Sequence, residues 1–155
     1  MATDHLDKQA EHLEERVRRL EDLAAIHQLF IDYGAYLDAH DFEAYSSLFA
    51  EDGEILLGPL GRAQGREQIR TMMAGTMPGG PGQSYHVISS PVVALGEDRA
   101  EAKVMWTVIQ RDPSGRPQVG MIGHHRDELV RRDGRWLFQR RRGFVDIPSA
   151  YPSGG

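Results

Sequence analysis

The sequence predicts an α+β fold on three observations. Apolar residues recur at helical spacing only in the first half of the chain. From Ser84 onward the chain is rich in β-branched residues, and Asp133-Gly134 is a two-residue hairpin signal between two strand-like runs. A Pro/Gly break, Pro78-Gly79-Gly80-Pro81-Gly82, separates the two regimes. Helices followed by antiparallel strands make an α+β layout. The 155 residues suit one core. The domain is placed at 1–147, with residues 1–19 as an N-terminal helical extension and 148–155 as a mobile tail of Pro, Gly and Ser.

The first helix carries the most information. At about 100° per residue, Val17, Leu20, Leu23, His27, Phe30, Ile31, Gly34 and Leu37 share one face. The helix should stop near Ala39. Leu6, Leu13, Leu20 and His27 also recur every seven residues, with Val17 and Ala24 between them. That pattern reads as a short coiled-coil seam or as one amphipathic helix lying on a sheet, and the second, plainer reading is adopted. His27 reads as core packing or an oligomer contact. Asp38 falls on the apolar face one turn after Gly34, where an unpaired charge would be costly. Gly34 removes side-chain volume beneath it, which suggests a hollow with Asp38 at its floor.

Asp41 resembles an N-cap, with Ala44, Tyr45, Leu48 and Phe49 on the apolar side of a second helix. Glu51-Asp52-Gly53 reads as a turn and Glu54 to Leu57 as a short strand. Arg66 to Met77 reads as a third helix with Ile69, Met72 and Met73 inward. The Pro/Gly break that follows suits a lid. Strands are expected over Ser84–Leu95, Ala100–Gln110, Val119–Arg132 and Arg135–Asp146, with turns at Gly96-Glu97-Asp98 and Asp112-Pro113-Ser114-Gly115.

The bulk properties exclude several classes. A net charge of −5 gives no support to nucleic-acid binding, and no apolar run is long enough for a membrane span. There is no cysteine, so disulfide and thiolate chemistry are excluded. The charged N-terminus lacks the apolar block of a secretory signal, and a cytoplasmic location is the default expectation. No Gly-rich loop opens a helix after a strand, so phosphate cradling has no support.

Several side chains are candidates for chemistry. His124 and His125 are adjacent on a strand and point to opposite faces, so one of them faces inward; Asp127 shares the face of His125. Arg140 and Arg142 share one strand face and Arg141 takes the other. Phe30, Leu56, Met72, Met73, Met77, Trp106, Val108 and Phe144 serve as pocket walls or as core. Their abundance favours an apolar, polycyclic ligand over a sugar or nucleotide.

The chain resembles the SnoaL-like branch of the NTF2-like superfamily. The resemblance rests on Tyr36-Leu37-Asp38-Ala39-His40-Asp41, Leu48-Phe49-Ala50-Glu51-Asp52-Gly53, Gly65-Arg66-Glu67 and Asp133-Gly134-Arg135-Trp136 with Arg140 four residues on. It covers roughly residues 20–146. The branch includes scytalone dehydratase, bile-acid 7α-dehydratase and hexachlorocyclohexane dehydrochlorinase. It implies a cone-shaped fold, with N-terminal helices packed on a curved antiparallel or mixed sheet around a pocket. It implies a catalytic pair, Asp38 near the end of helix 1 and His86 early in the strand after helix 3. An Asp that accepts one ring N–H of a His fixes its tautomer and makes the other nitrogen a better base. Tyr33 matches a site tyrosine and Arg140 a substrate-orienting arginine.

The expected function is that of a cofactor-independent, dehydratase-like lyase or isomerase acting on a hydrophobic small molecule. The catalytic set is Asp38, His86, Tyr33 and Arg140; the substrate-binding set is His125, Phe30, Trp106, Met73, Leu56 and Phe144. A metal site at His86, His125 and Asp38 is the other reading, but the sequence has no H-E-x-x-H helix and no spaced Cys/His cluster, so neither a metal nor another cofactor is expected. The alternative is a non-catalytic ligand-binding or assembly module on the same fold. A homo-oligomer, trimer or dimer, is the expected assembly.

Overall fold

The computed structural model describes residues 1–148; the tail expected over 148–155 lies outside the described residues except for Pro148. The chain forms α1 (Ala2–Asp38), α2 (Phe42–Ser47), β1 (Phe49–Leu56), a 3₁₀ turn (Gly58–Leu60), β2 (Arg62–Gln64), α3 (Arg66–Thr76), β3 (Ser84–Leu95), β4 (Arg99–Arg111), β5 (Pro117–Arg132) and β6 (Arg135–Ile147). The six strands make one open, mixed sheet in the order β2-β1-β6-β5-β4-β3. β1 runs parallel to β6, and every other pairing is antiparallel. Register shifts within the long pairings bend the sheet around the helices into a cone.

The long helix divides into two parts. Residues 3–21 are exposed throughout, and packing on the sheet begins only with Asp22 and Leu23. The buried stripe is Ile26, Leu29, Phe30, Tyr33 and Leu37, at helical spacing. This corrects the single face read from the sequence: Val17, Leu20 and Ile31 are 52%, 66% and 57% exposed, and His27 is exposed too, so it is no core residue. Gly34 is also reinterpreted. A β-carbon there would meet Ile88 Cγ1 at 3.0 Å and the His86 carbonyl at 3.4 Å, so the glycine brings β3 close to the helix rather than leaving a hollow.

After α1 the chain reverses through His40, whose φ of 56° is left-handed. Asp41 then caps α2 by accepting the Ala44 N–H at 3.0 Å. The segment Glu51-Asp52-Gly53 is not a turn but an irregular stretch inside β1, where pairing with β6 shifts between Phe49 and Glu54. The hairpin at Asp133-Gly134 has φ of 51° and 73° at its two residues, the left-handed pair that a tight antiparallel connection requires.

The core lies between the helices and the inner sheet face. Ile26, Phe30, Tyr45, Phe49, Ile55, Ile69, Val104, Leu129 and Phe138 form its centre. Asp22 ties α1 to the β5–β6 hairpin: its carboxylate accepts the Trp136 indole N–H at 2.9 Å and pairs with Arg131 at 2.9 Å. Among the described residues no helix is long and apolar enough to cross a membrane.

One irregularity decides which side chains enter the cone. β5 and β6 pair as Leu129↔Phe138 and then Glu128↔Arg140, so β6 carries one extra residue at Gln139. A bulge of this kind reverses the in/out alternation beyond it. Trp136 and Phe138 face inward before the bulge, and Arg141 and Gly143 after it. Arg140, Arg142 and Phe144 therefore face out.

Candidate active site

Asp38, the last residue of α1, meets His86 at the start of the edge strand β3. The Asp38 carboxylate accepts the His86 backbone N–H, at 2.9 Å to Oδ1 and 3.0 Å to Oδ2, and its Oδ1 lies 2.7 Å from the ring Nδ1. A carboxylate at a helix C-terminus opposes the helix dipole. Two N–H donors from one residue offset that cost and fix the ring. The arrangement assigns the Nδ1 proton to the Asp38 contact and leaves Nε2 with its lone pair and no hydrogen bond among the described residues. Both side chains keep partial access, 12% exposed for His86 and 16% for Asp38.

Neighbouring strands extend the site inward. His86 pairs across β3–β4 with Val108, and Ile88 with Trp106, all on the inner face. Trp106 is 7% exposed, and its indole lies over Gly123 of β5. A β-carbon at position 123 would collide with the indole, so only glycine leaves room for it. Two residues on, His125 is buried, with its ring 5.9 Å from Trp106 and 5.3 Å from Tyr33. Burial is the main cause that holds the His125 pKa well below the usual imidazole value; Arg141 and then His86 push the same way. His125 is thus a neutral imidazole. His124 points out of the cone, stacks on Phe144 and pairs with Asp146 at 2.8 Å.

Deeper still lies a buried ion pair. Arg141 and Asp127, neither with any exposed side-chain surface, approach to 3.0 Å. The Arg141 guanidinium covers the Tyr33 ring at 3.9 Å and the Phe138 ring at 4.2 Å. Burial pushes the Asp127 carboxyl up to about 6, against the opposing pull of Arg141. Tyr33 and Tyr45, 5.0 Å apart, are both raised above the usual phenol value, burial being the largest cause for each, so both keep their protons. Buried polar atoms in this region without a hydrogen-bond partner among the described residues include His125 Nδ1, Trp106 Nε1 and Arg141 Nη1.

The structure pairs Asp38 with His86 and, further in, groups Tyr33, His125 and Trp106, while Phe30 packs with Phe138 and Arg141. Met73 is buried in the same core under α3. Three expected site residues face elsewhere. Arg140 lies on the outer sheet face against Glu54, 3.3 Å away. Phe144 is 40% exposed on that face. Both are displaced by the β6 bulge. Leu56 pairs with Arg142 and faces out, because its neighbour Ile55, opposite Arg141, takes the inward position. Arg141, Asp127 and Tyr45 are the interior polar residues that the sequence reading gave no role. The run of three arginines marked the region, but alternation alone does not say which one turns in.

Surface clefts lie away from this interior. One of about 440 Å³ opens on the outer face among Lys103, Arg126, Glu128, Arg140 and Arg142. Its walls mix charged residues with Val92, Ala94 and Ala102, and it contains no histidine among the described residues. Among the described residues no three His, Cys, Asp or Glu side chains are grouped to hold a metal ion.

A curved mixed sheet packed against helices, with an Asp–His pair where α1 meets the edge strand β3, defines a cone-shaped α+β protein of the NTF2-like class. The chain belongs to the SnoaL-like domain family, whose family model matches residues 18–142. Similar solved structures include an NTF2-like protein with a cystatin-like fold from Novosphingobium aromaticivorans, at 28% identity over 89% of this chain and 90% of that one with a TM-score of 0.75. Another protein from that organism carries a provisional scytalone dehydratase assignment, at 27% identity over 88% and 96% of the two chains with a TM-score of 0.70. ActVI-ORFA from Streptomyces coelicolor matches at 25% identity over 80% and 97% with a TM-score of 0.71. No curated protein sequence matches the chain.

Proposed function

We propose that this protein is a cofactor-independent lyase or isomerase of the dehydratase type, acting on a hydrophobic small molecule. The observation that carries the reading is the Asp38–His86 contact, which frees Nε2 of a partly accessible imidazole on the edge strand. In a dehydration, Nε2 takes a proton from a carbon adjacent to the one bearing a hydroxyl. The C–H electron pair becomes the new double bond, and the C–O bond breaks. The proton on Nε2 passes to the departing oxygen, so water leaves and the imidazole returns to its neutral form. Asp38 stabilises the transient imidazolium and keeps its tautomer. The Trp106 Nε1 donor, without a partner among the described residues, suits a developing oxyanion, such as an enolate, on the substrate. The relative with the scytalone dehydratase assignment supports the same class of chemistry.

The test is turnover of a panel of cyclic β-hydroxyketones, followed by the absorbance of the conjugated product. His86→Ala and Asp38→Asn should each abolish the turnover that wild type shows, with circular dichroism unchanged. Wild-type rates in both variants would sink the dyad mechanism.

A further inference from the structure

The projecting part of α1 presents a second apolar stripe that the domain does not use. Leu6, Leu13, Leu20 and His27 recur at one heptad position, and Ala10, Val17, Ala24 and Ile31 at another, four residues on. All eight are exposed, the four largest apolar ones among them by more than half: Leu6 62%, Leu13 55%, Leu20 66% and Ile31 57%. Aliphatic and small residues spaced alternately four and three apart over nearly four heptads are the pattern of a coiled-coil seam. From Leu6 to Ile31 it runs about 38 Å along the helix. At 100° per residue the seam lies roughly 150° around the helix from the buried stripe Ile26–Leu37, so a second helix reaches it without displacing the sheet.

Charge beside the seam identifies the occupant and its direction. One flank carries Asp7, Glu14 and Glu21, and the other Gln9, Arg16 and the half-buried Leu23. In an antiparallel pair of identical helices each flank faces itself, which sets the acidic row against a second acidic row. In a parallel pair the flanks cross, and each residue of the second flank faces the first-flank residue five positions on. Arg16 then meets the partner's Glu21, twice by symmetry, and Gln9 meets the partner's Glu14 without repulsion. Leu at one core position with Val or Ile at the other favours two strands. We infer that the protein is a homodimer joined by a parallel two-stranded coiled coil of its α1 helices, with both domains at the same end.

The test uses the full chain. Sedimentation equilibrium should give twice the 17.4 kDa protomer mass. Leu13→Glu with Leu20→Glu, two exposed positions, should halve that mass while the circular dichroism of the domain persists. Direction is read by cross-linking, which the absence of native cysteine makes unambiguous. Leu6→Cys should form a disulfide to its own copy on mild oxidation, since residue 6 faces residue 6 only in the parallel arrangement. A monomeric or trimeric wild type, a dimer that survives the double glutamate variant, or a dimer in which Leu6→Cys fails to cross-link would each overturn the inference.

Discussion

The sharpest test of the interior is to remove Asp127. Its carboxylate is the one counter-ion within reach of Arg141 among the described residues, at 3.0 Å, and neither side chain has exposed surface. In Asp127→Ala the guanidinium stays buried without a counter-ion. Breaking one side of such a pair costs about 3–5 kcal/mol. For a domain of this size each kcal/mol lowers Tm by roughly 2–4 °C, so the midpoint should fall by about 6–20 °C. Replacing both partners, Asp127→Leu with Arg141→Met, removes the stranded charge and should recover most of the loss. Recovery should stop about 1–2 kcal/mol short of wild type, because the guanidinium contacts with Tyr33 and Phe138 go too. The control is Arg140→Ala, which breaks a partly exposed pair with Glu54 and should cost only about 0–1 kcal/mol. Urea denaturation followed by tryptophan fluorescence and circular dichroism measures all four proteins. The reasoning fails if Asp127→Ala costs under about 1 kcal/mol, if the double variant is no better than the single one, or if Arg140→Ala proves the costlier arginine change.

His125 has its pKa held well below the usual 6.5 by burial, so in acid the unfolded chain takes up a proton there that the native state refuses. Its contribution is intact above about pH 6.5 and declines as the pH falls. Between pH 7.5 and 5.5 wild type should lose stability relative to His125→Phe, by up to about 1.4 kcal/mol. Asp127, pushed up to about 6, acts in the opposite direction at lower pH but is common to both proteins and cancels. Equal pH profiles for the two proteins would refute this. Asp22→Ala should cost about 1–3 kcal/mol and shift the Trp136 emission, since one carboxylate serves both the indole N–H and Arg131. Gly123→Ala should destabilise the fold and change the Trp106 signal, because the added methyl group has no space beneath the indole; a neutral result would mean that the indole is not fixed over β5.

The sequence was most legible where the chemistry depends on local spacing. Asp41 as a cap, the Asp133-Gly134 hairpin and the four long strands follow from short-range preferences, and the structure has them. The Asp38–His86 contact was legible for another reason: the family resemblance named both residues, although the apolar face drawn through Asp38 is not the buried stripe. The inward arginine was not legible. Whether Arg140 or Arg141 enters the cone depends on one extra residue accommodated opposite Glu128. That is a property of two paired strands and not of either one alone. The same bulge turned Phe144 outward, so two misplaced residues share one cause.

The first helix shows how a correct periodicity can give a wrong face. Around the helix, the buried stripe at Ile26, Leu29, Phe30, Tyr33 and Leu37 and the exposed seam from Leu6 to Ile31 stand roughly 150° apart. The single face drawn through Val17, Leu20, Leu23, His27, Phe30, Ile31, Gly34 and Leu37 runs between them, because it takes members from both. One helix thus carries two apolar stripes. The sheet takes the stripe that begins at Ile26, and no part of the described chain covers the other. A helix needed only for the domain would gain nothing from leucine at 6, 13 and 20, where each side chain stays in water at the cost of solubility. Covering the seam removes that cost and gives the projecting turns the tertiary packing on which most helical stability rests. The same helix then ends at Asp38, so whatever holds its exposed half in place also steadies the carboxylate that orients His86.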